Sequence, residues 1–318
     1  MNKKLRANLM LLLTAFIWGT AFAAQKSGME YVEPFTFNAI RNLIGAAVLT
    51  PVIFYLRSFE MKKGEDSETV QRGGKKWLIA GGFCCGIVLF IAGSLQQIAL
   101  QYTDAGKAGF ITALYVVLVP VLGLFLKKKI RPFVWLCVGV SAAGLFLLCV
   151  PAGESFAGIG FGEILLFISA VWLAIHILVV DYFVDKTDGV RLSRMQFLVC
   201  GIISLIPMFL TETPELSNIL ACWLPILYTG VFSIGVAYTL QVVAQKNTDP
   251  TSASLILSLE SVFSVIAGVL VLNERMNGRE ILGCLFMFIA IVASQFSGKT
   301  TESDSSCEEE TGTEGQKG

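Results

Sequence analysis

The sequence predicts an all-α integral membrane protein with ten transmembrane helices, arranged as two inverted five-helix repeats. The first observation is composition, because 54% of the 318 residues are hydrophobic and only 15% are charged, against roughly a quarter charged in an ordinary soluble domain. The second is that the apolar residues fall in ten stretches, each close to the ~20 residues that span a bilayer core as a helix. The third is a similarity between the two halves of the chain. The ten stretches are 7–25, 36–56, 77–100, 108–126, 132–150, 161–180, 195–211, 219–243, 251–272 and 281–297.

These stretches are predicted to be helices, because they lack the alternating pattern of membrane barrel strands and because a helix satisfies its own backbone in lipid. Together they contain only three charged residues, Arg41, Glu163 and Glu260. Helices of soluble proteins keep a polar face, and these stretches hold too few charges for one. The composition therefore excludes soluble enzymes and nucleic-acid-binding proteins, and membrane lipids are the expected surroundings.

The first stretch follows Lys3, Lys4 and Arg6 and contains Ala21-Phe22-Ala23, a pattern that also occurs in secretory signal peptides. We predict a retained helix instead, because nine further apolar stretches follow and the internal repeat needs this helix as its first member. Trp18 lies deeper in it than an interfacial aromatic belt. A packing role is the alternative to a role in binding for this side chain.

The second stretch carries Asn38, Arg41, Asn42 and Gly45 at helical spacing, which places them on one face. Lipid cannot be the neighbour of such a face, so we expect it to point into the bundle or a wet cavity. Three interpretations of Arg41 stay open. The guanidinium recognises a carboxylate or phosphate of a substrate, pairs with Glu260, or extends to the membrane interface.

Further polar side chains lie at mid-depth in other stretches, and we predict that they line a cavity. His176 is the only histidine of the chain, and it serves either in packing or in handling a proton or substrate. The remaining candidates are Gln96, Thr112, Tyr115, Tyr238 and Gln241.

The ninth stretch contains Glu260, the only carboxylate at mid-membrane depth. It lies ten residues after Pro250, which is about 15 Å along a helix axis. A charge at that depth costs about 2.5–3.5 kcal/mol on insertion scales, so it is a functional candidate by default. The alternative is a buried, protonated acid that bonds to a neighbouring helix.

The loops indicate the orientation in the membrane. If the N-terminus is cytoplasmic, 19 of the 24 Lys and Arg residues lie on the cytoplasmic side, as the positive-inside rule requires. Both termini are therefore predicted to be cytoplasmic. The longest loop, 57–76, is predicted to be a flexible connector, and 298–318 a disordered acidic tail.

An internal repeat divides the chain into halves, predicted to be 7–150 and 161–297. Leu95-Gln96, Ala99 and Thr103-Asp104 recur 145 residues later as Leu240-Gln241, Ala244 and Thr248-Asp249. At that shift Glu260 corresponds to Tyr115. Since each half has five helices, the second half enters the membrane from the opposite side. Inverted repeats of this kind are typical of secondary transporters.

The sequence contains no HExxH motif and no phosphate-binding glycine-rich loop, and its eight cysteines form no CxxC pair. We therefore expect no enzymatic activity, no cofactor and no metal site. A membrane-embedded lipid-handling enzyme and a channel stay as alternatives to a transporter.

Several motifs resemble those of one family. The run from Gln101 to Phe110, continued through Leu114-Tyr115 to Pro120, resembles the first-half signature of the EamA family of the drug/metabolite transporter superfamily. Ile17-Trp18-Gly19 and Arg41 also fit this family. The second half is similar to its repeat motif, in which a helix ends in Gly-Glu-Arg, at Leu259-Glu260-Ser261-Val262-Phe263, Gly268 and Leu272-Asn273-Glu274-Arg275.

The resemblance, which covers about residues 7–297, implies a multi-pass protein of the plasma (bacterial inner) membrane that exports a small organic metabolite, amino acid or drug-like compound. It implies that Glu260 and Arg41 lie near the transport path and that Glu274 closes the corner between the last two helices. With the inverted repeat, it predicts alternating access, with proton coupling through Glu260. Asn273 departs from the motif's Gly, and Lys127-Lys128-Lys129 replaces an acidic residue in the first copy. Neither the substrate nor the oligomeric state follows from the sequence.

Overall fold

The computed structural model describes residues 3–62, 67–125, 132–149 and 160–297. Within these ranges every regular element is a helix and no strand occurs. The predicted tail 298–318 lies outside the described residues, as does most of the link between the predicted halves. The helices are α1 (Lys3–Gly28), α2 (Pro34–Lys62), α3 (Ser67–Ala99), α4 (Ala105–Thr112), α5 (Tyr115–Phe125), α6 (Pro132–Cys149), α7 (Phe161–Val184), α8 (Gly189–Thr211), α9 (Leu216–Ala221), α10 (Trp223–Tyr228), a π-helical segment (Thr229–Tyr238), α11 (Thr239–Gln245), α12 (Pro250–Leu257), α13 (Glu260–Leu272) and α14 (Gly278–Ser297).

Eight segments of the described chain are long and apolar enough to cross a membrane, which makes this a multi-pass membrane protein. The two other predicted crossings, 132–150 and 281–297, correspond to α6 and α14, which pack against each other. The count of ten crossings stays a prediction. The eight segments are Lys3–Gly28, Pro34–Tyr55, Gly74–Ala99, Ala105–Phe125, Phe161–Val184, Gly189–Thr211, Trp223–Gln245 and Pro250–Leu272.

The connector predicted over 57–76 is largely helical, which corrects that prediction. Helix α2 continues to Lys62 and α3 begins at Ser67. The residues concerned include Arg, Met, Lys and Glu, which favour helix, so both helices extend beyond their apolar spans.

The fourth and ninth crossings are each interrupted, where the sequence predicts one continuous helix. Helix α4 ends at Thr112 and α5 begins at Tyr115, while α12 ends at Leu257 and α13 begins at Glu260. The two breaks therefore lie 145 residues apart, at the shift of the repeat. In the ninth crossing, the hydroxyl groups of Ser258 and Ser261 donate hydrogen bonds to the carbonyls of Leu255 and Ser258. Such back-bonding to the backbone bends helices.

The eighth crossing is also irregular. The short helix α9 precedes it, and the crossing contains ten residues of π-helix, Thr229–Tyr238. π-Helical turns are rare and occur frequently at functional sites. The prediction of one helix over 219–243 therefore misses both the separate α9 and the π-helical segment.

The helix contacts recur in a paired pattern across the two predicted halves. Helix α1 packs on α13, and α7 packs on α4 and α5, so the first helix of each half contacts the interrupted crossing of the other. Helix α3 packs on α7 and α8, while the π-helical segment packs on α1 and α2. The core thus lies between the halves, and side chains from both meet there.

Candidate functional site

A central cavity lies between the two predicted halves, and nine of the eleven candidate residues line it. These nine are Trp18, Arg41, Gln96, Thr112, Tyr115, His176, Tyr238, Gln241 and Glu260. The structure adds lining residues that the sequence interpretation missed: Phe22, Gln25, Leu173, Ile177, Ser233 and Ile234. The cavity therefore combines aromatic walls with groups that donate and accept hydrogen bonds, as is common in small-molecule sites.

Glu260 and Tyr115 are the first residues of α13 and α5, the second segments of the two interrupted crossings. Both side chains are 2% exposed, and both line the cavity. The Tyr115 hydroxyl and Glu260 Oε1 have no hydrogen-bond partner among the described residues. A buried polar atom without a partner costs about 1–3 kcal/mol. These two atoms are thus available to a ligand.

Gly19 allows α1 to approach this region closely. A Cβ atom on Gly19 would lie 2.6 Å from the backbone oxygen of Glu260, a distance that real Cβ contacts do not show. The neighbouring Trp18 then reaches the cavity, where its indole Nε1–H donates to the carbonyl of Ser233 at 3.2 Å. Its ring lies against Tyr238 with the ring centroids 4.4 Å apart. Trp18 therefore packs and lines the cavity at once.

Arg41 is a buried cation, 4% exposed, and its hydrogen-bond partners are neutral. Its Nε and Nη2 donate to Asn38 Oδ1 at 3.2 and 3.0 Å, and its Nη1 donates to Gln25 Oε1. Arg41 forms no ion pair with a carboxylate within the part of the chain described. A buried charge without a counter-ion is costly. The guanidinium therefore lies inside the bundle, on the cavity, rather than extending to its surface.

Asn38 and Asn42 do not line the cavity. The side-chain amide of Asn42 donates to Asn38 Oδ1 at 3.1 Å, and that of Asn38 donates to Ser204 Oγ at 3.1 Å. Asn38 Oδ1 in turn accepts from Arg41. The two asparagines thus support the guanidinium from behind, on the polar face that the sequence indicates.

His176 lies on the cavity wall contributed by α7 and is 1% exposed. Its Nε2 is 3.0 Å from Gln196 Oε1, and its ring packs edge-on against Tyr238 at 5.9 Å. Gln196 was not a candidate from the sequence. A signal for it exists, because α2 and α8 begin 155 residues apart and that offset maps Arg41 on Gln196.

Glu274 lies in the corner between α13 and α14, where its backbone N–H donates to the carbonyl of Gly268 at 3.1 Å, and its carboxylate acts across the two predicted halves. Its Oε1 and Oε2 accept hydrogen bonds from the backbone N–H groups of Ala105 and Gly106, at 2.7 and 3.0 Å. It therefore caps the N-terminus of α4. Asn273, at φ 55°, turns the chain after α13, a left-handed conformation that asparagine tolerates better than most residues. A side chain at Gly268 would collide with the Glu274 carboxylate.

A second carboxylate, that of Glu212, links two helices at the same end of the bundle. Glu212, which follows α8, accepts from the backbone N–H groups of Phe35 and Thr36, both at 2.7 Å, at the start of α2. Glu33 accepts in return from the N–H of Thr213 at 3.2 Å. At this end, which is external in the predicted orientation, carboxylates therefore join helices of both halves.

Comparisons with known proteins match most of the chain. The family model described as the EamA-like transporter family matches residues 5–150 and 160–294. An uncharacterized transporter of Archaeoglobus fulgidus is 28% identical over 298 residues, covering 91% of this chain and 86% of that protein. An uncharacterized transporter of Clostridium kluyveri is 26% identical, covering 92% and 93%.

One crystal structure of a protein has a similar fold. It superposes with a TM-score of 0.67 and covers 91% of this chain and 96% of its own, at 19% identity. At that identity the likeness concerns the fold alone.

Proposed function

Because the chain belongs to the EamA-like transporter family, we propose that it is a secondary transporter that moves a small organic metabolite through the central cavity by alternating access. One observation carries this proposal: Arg41 and Glu260, two of the three charges in the apolar stretches, line one cavity between the halves. Charges kept inside a membrane protein mark pathways for substrates, ions or protons. Family and relatives support transport rather than an enzymatic activity.

The proposed architecture is two inverted five-helix repeats, 7–150 and 161–297. It is supported by the equal offset of the two helix breaks and by the recurrence of the helix contacts in pairs. In such transporters, discontinuous helices place their segment ends at a central site, and the two halves move against each other around it. Tyr115 and Glu260 occupy these segment ends here.

The proposed substrate carries an anionic group. Arg41 reaches the cavity with only neutral hydrogen-bond partners, and a substrate carboxylate or phosphate would supply the missing counter-ion. Glu260 would bind a proton or a cationic group, and the aromatic rings of Trp18 and Tyr238 would pack on the apolar part. An amino acid or a drug-like compound fits this description.

Orientation and direction belong to the same proposal. The distribution of Lys and Arg supports cytoplasmic termini, and we propose an exporter in the plasma (bacterial inner) membrane. The second candidate is a channel, which would pass its substrate through an open pore. The buried polar side chains of this cavity favour a binding site instead.

The test starts with a thermal-shift screen of the purified protein against amino acids, nucleosides, organic acids and cationic drugs. A stabilising compound is then loaded into proteoliposomes, and counter-exchange of the labelled compound is measured. Saturable counter-exchange supports a carrier, whereas flux that does not saturate supports a channel. Absence of any stabilising compound and any flux across these classes would contradict the proposed substrate class.

A further inference from the structure

The second half of the chain contains a polar pair, His176 and Gln196, that resembles the Arg41–Gln25 pair of the first half. Of the second pair, His176 lines the cavity and Gln196 lies behind it. Gln196 on α8 lies at the position of Arg41 when the first residues of α2 and α8 are aligned. Each of these two residues bonds to a side chain on the first helix of its own half, Gln25 on α1 or His176 on α7. The second half therefore contributes an imidazole to the cavity, whereas the first half contributes a guanidinium.

The hydrogen bond between these residues determines the state of the imidazole. With the Gln196 amide as the structure places it, His176 Nε2–H donates to Gln196 Oε1 at 3.0 Å. A neutral imidazole has one protonated nitrogen, so its other nitrogen, Nδ1, then carries a lone pair and accepts. Among the described residues Nδ1 has no hydrogen-bond partner, while the side chain lines the cavity.

The opposite amide orientation would reverse these roles. Gln196 would donate to Nε2, and Nδ1 would carry the proton and donate towards the cavity. The two arrangements differ in the position of one proton, which lies on Nε2 in the first and on Nδ1 in the second and can be observed by NMR. In the arrangement of the structure, Gln196 Nε2 is buried without a partner in the described part of the chain, which leaves its carbonyl oxygen as the bonded end.

We propose that Gln196 is a positioning residue that holds His176 as the neutral tautomer protonated on Nε2, so that Nδ1 accepts a hydrogen bond from the substrate. This inference rests on the proposed function and narrows its substrate class. The substrate would combine an anionic group, bound by Arg41, with a hydrogen-bond donor such as an ammonium, amide or hydroxyl group, bound by His176. The other titratable groups lining the cavity are Arg41, Tyr115, Tyr238 and Glu260.

The chain offers an unusually direct test, because His176 is its only histidine. We would produce the protein with ¹⁵N-labelled histidine and a purification tag free of histidine, then record long-range ¹H–¹⁵N spectra of the imidazole in nanodiscs. The inference expects one tautomer in the wild-type protein, with Nε2 protonated and Nδ1 unprotonated. Finding Nδ1 protonated and Nε2 unprotonated would overturn it.

Two variants test the role of Gln196 itself. Gln196→Leu removes the acceptor, so we expect a mixture of tautomers in place of one. Gln196→Glu places a carboxylate beside Nε2 and favours the imidazolium, so we expect both nitrogens to become protonated at a higher pH than in the wild type. The matched control is Gln245→Leu, since Gln245 is also buried and donates to the carbonyl of Ile177 on α7, the helix that carries His176. The control should leave the imidazole spectrum unchanged.

An unchanged tautomer in Gln196→Leu would assign Gln196 to packing alone and overturn the inference. Should that variant fail to fold, the wild-type spectrum still decides between the two tautomers. Because the spectra need no substrate, they are independent of transport. A protein that shows the expected tautomer but no flux would contradict the proposed function and leave the positioning role intact.

Discussion

Tyr115 and Glu260 begin the second segments of two interrupted membrane helices, 145 residues apart, and their buried side chains line one cavity. Neither break coincides with a glycine or a proline. The two breaks thus occupy equivalent positions but carry different residues, a phenol in the first half and a carboxylate in the second. The two halves therefore contribute different chemical groups to the cavity, although their helices contact each other in a paired pattern.

Glu260→Gln should abolish the dependence of transport on a proton gradient. The amide keeps the size of the side chain but cannot bind or release a proton, so we expect gradient-driven flux into proteoliposomes to fall by on the order of tenfold or more, about 1.4 kcal/mol. Glu163→Gln is the control, because Glu163 lies outside the cavity and its Oε1 accepts from Thr103 at 3.4 Å. Flux with wild-type pH dependence in Glu260→Gln would refute the proton-binding role.

Arg41→Gln should weaken binding of anionic substrates. A hydrogen bond to a charged group contributes about 1.5–3 kcal/mol, so we expect the apparent affinity to fall by one to two orders of magnitude on the same scale. The control is Arg279→Gln, because the guanidinium of Arg279 stacks over Phe146 outside the cavity. Unchanged affinity for every transported anion would show that Arg41 is structural.

Gln25→Glu should stabilise the protein and impair anion binding together. The carboxylate would give the buried Arg41 the counter-ion that it lacks, and it would compete with a substrate anion. We expect the melting temperature to rise by about 2–4 °C for each kcal/mol gained. Gln97→Glu is the matched control, because Gln97 is also buried but bonds to the backbone of Gln25. The carboxylate of Gln97→Glu would have no cationic partner, so this variant should have a lower melting temperature. A similar fall in Gln25→Glu would count against an ion pair between the new carboxylate and Arg41.

Gly19→Ala should destabilise the bundle where α1 meets α13. The added methyl group would lie 2.6 Å from the Glu260 oxygen, and overpacking of this kind costs about 1–3 kcal/mol. Thermal unfolding in detergent measures the loss. Gly139→Ala on α6 should be neutral or stabilising, since nothing lies within 4 Å of its added Cβ and alanine favours helix. Equal stability of both variants would show that α1 can move away from α13 freely.

Glu274→Ala should weaken the link between the halves at the end of α4. Losing a helix cap costs about 0.5–2 kcal/mol, and here both carboxylate oxygens cap the backbone of the other half. Glu274→Gln keeps one acceptor and should lose less. Hydrogen exchange of the Ala105 and Gly106 amides reports the cap locally. Exchange rates that stay at the wild-type level in Glu274→Ala would contradict the capping role.

The cavity could be predicted only in part. Polar residues in apolar stretches identified nine lining side chains, because lipid excludes such groups and leaves the bundle interior as their place. Gln25 and Gln196 escaped notice. Gln25 lies at the end of its apolar stretch and Gln196 near the start of another, where a polar residue is unremarkable by position alone.

The sequence by itself determined that this is a helical membrane protein with related halves, because the bilayer imposes a minimum apolar length and a penalty on charge that act on each segment separately. It also placed Tyr115 and Glu260 at equivalent positions. Only the tertiary structure decided which helices touch, and hence that Asn38 and Asn42 support Arg41 while Gln196 bonds to His176. Glu274 caps a helix of the opposite half for the same reason. Such contacts join residues far apart in the chain, and no local pattern records them.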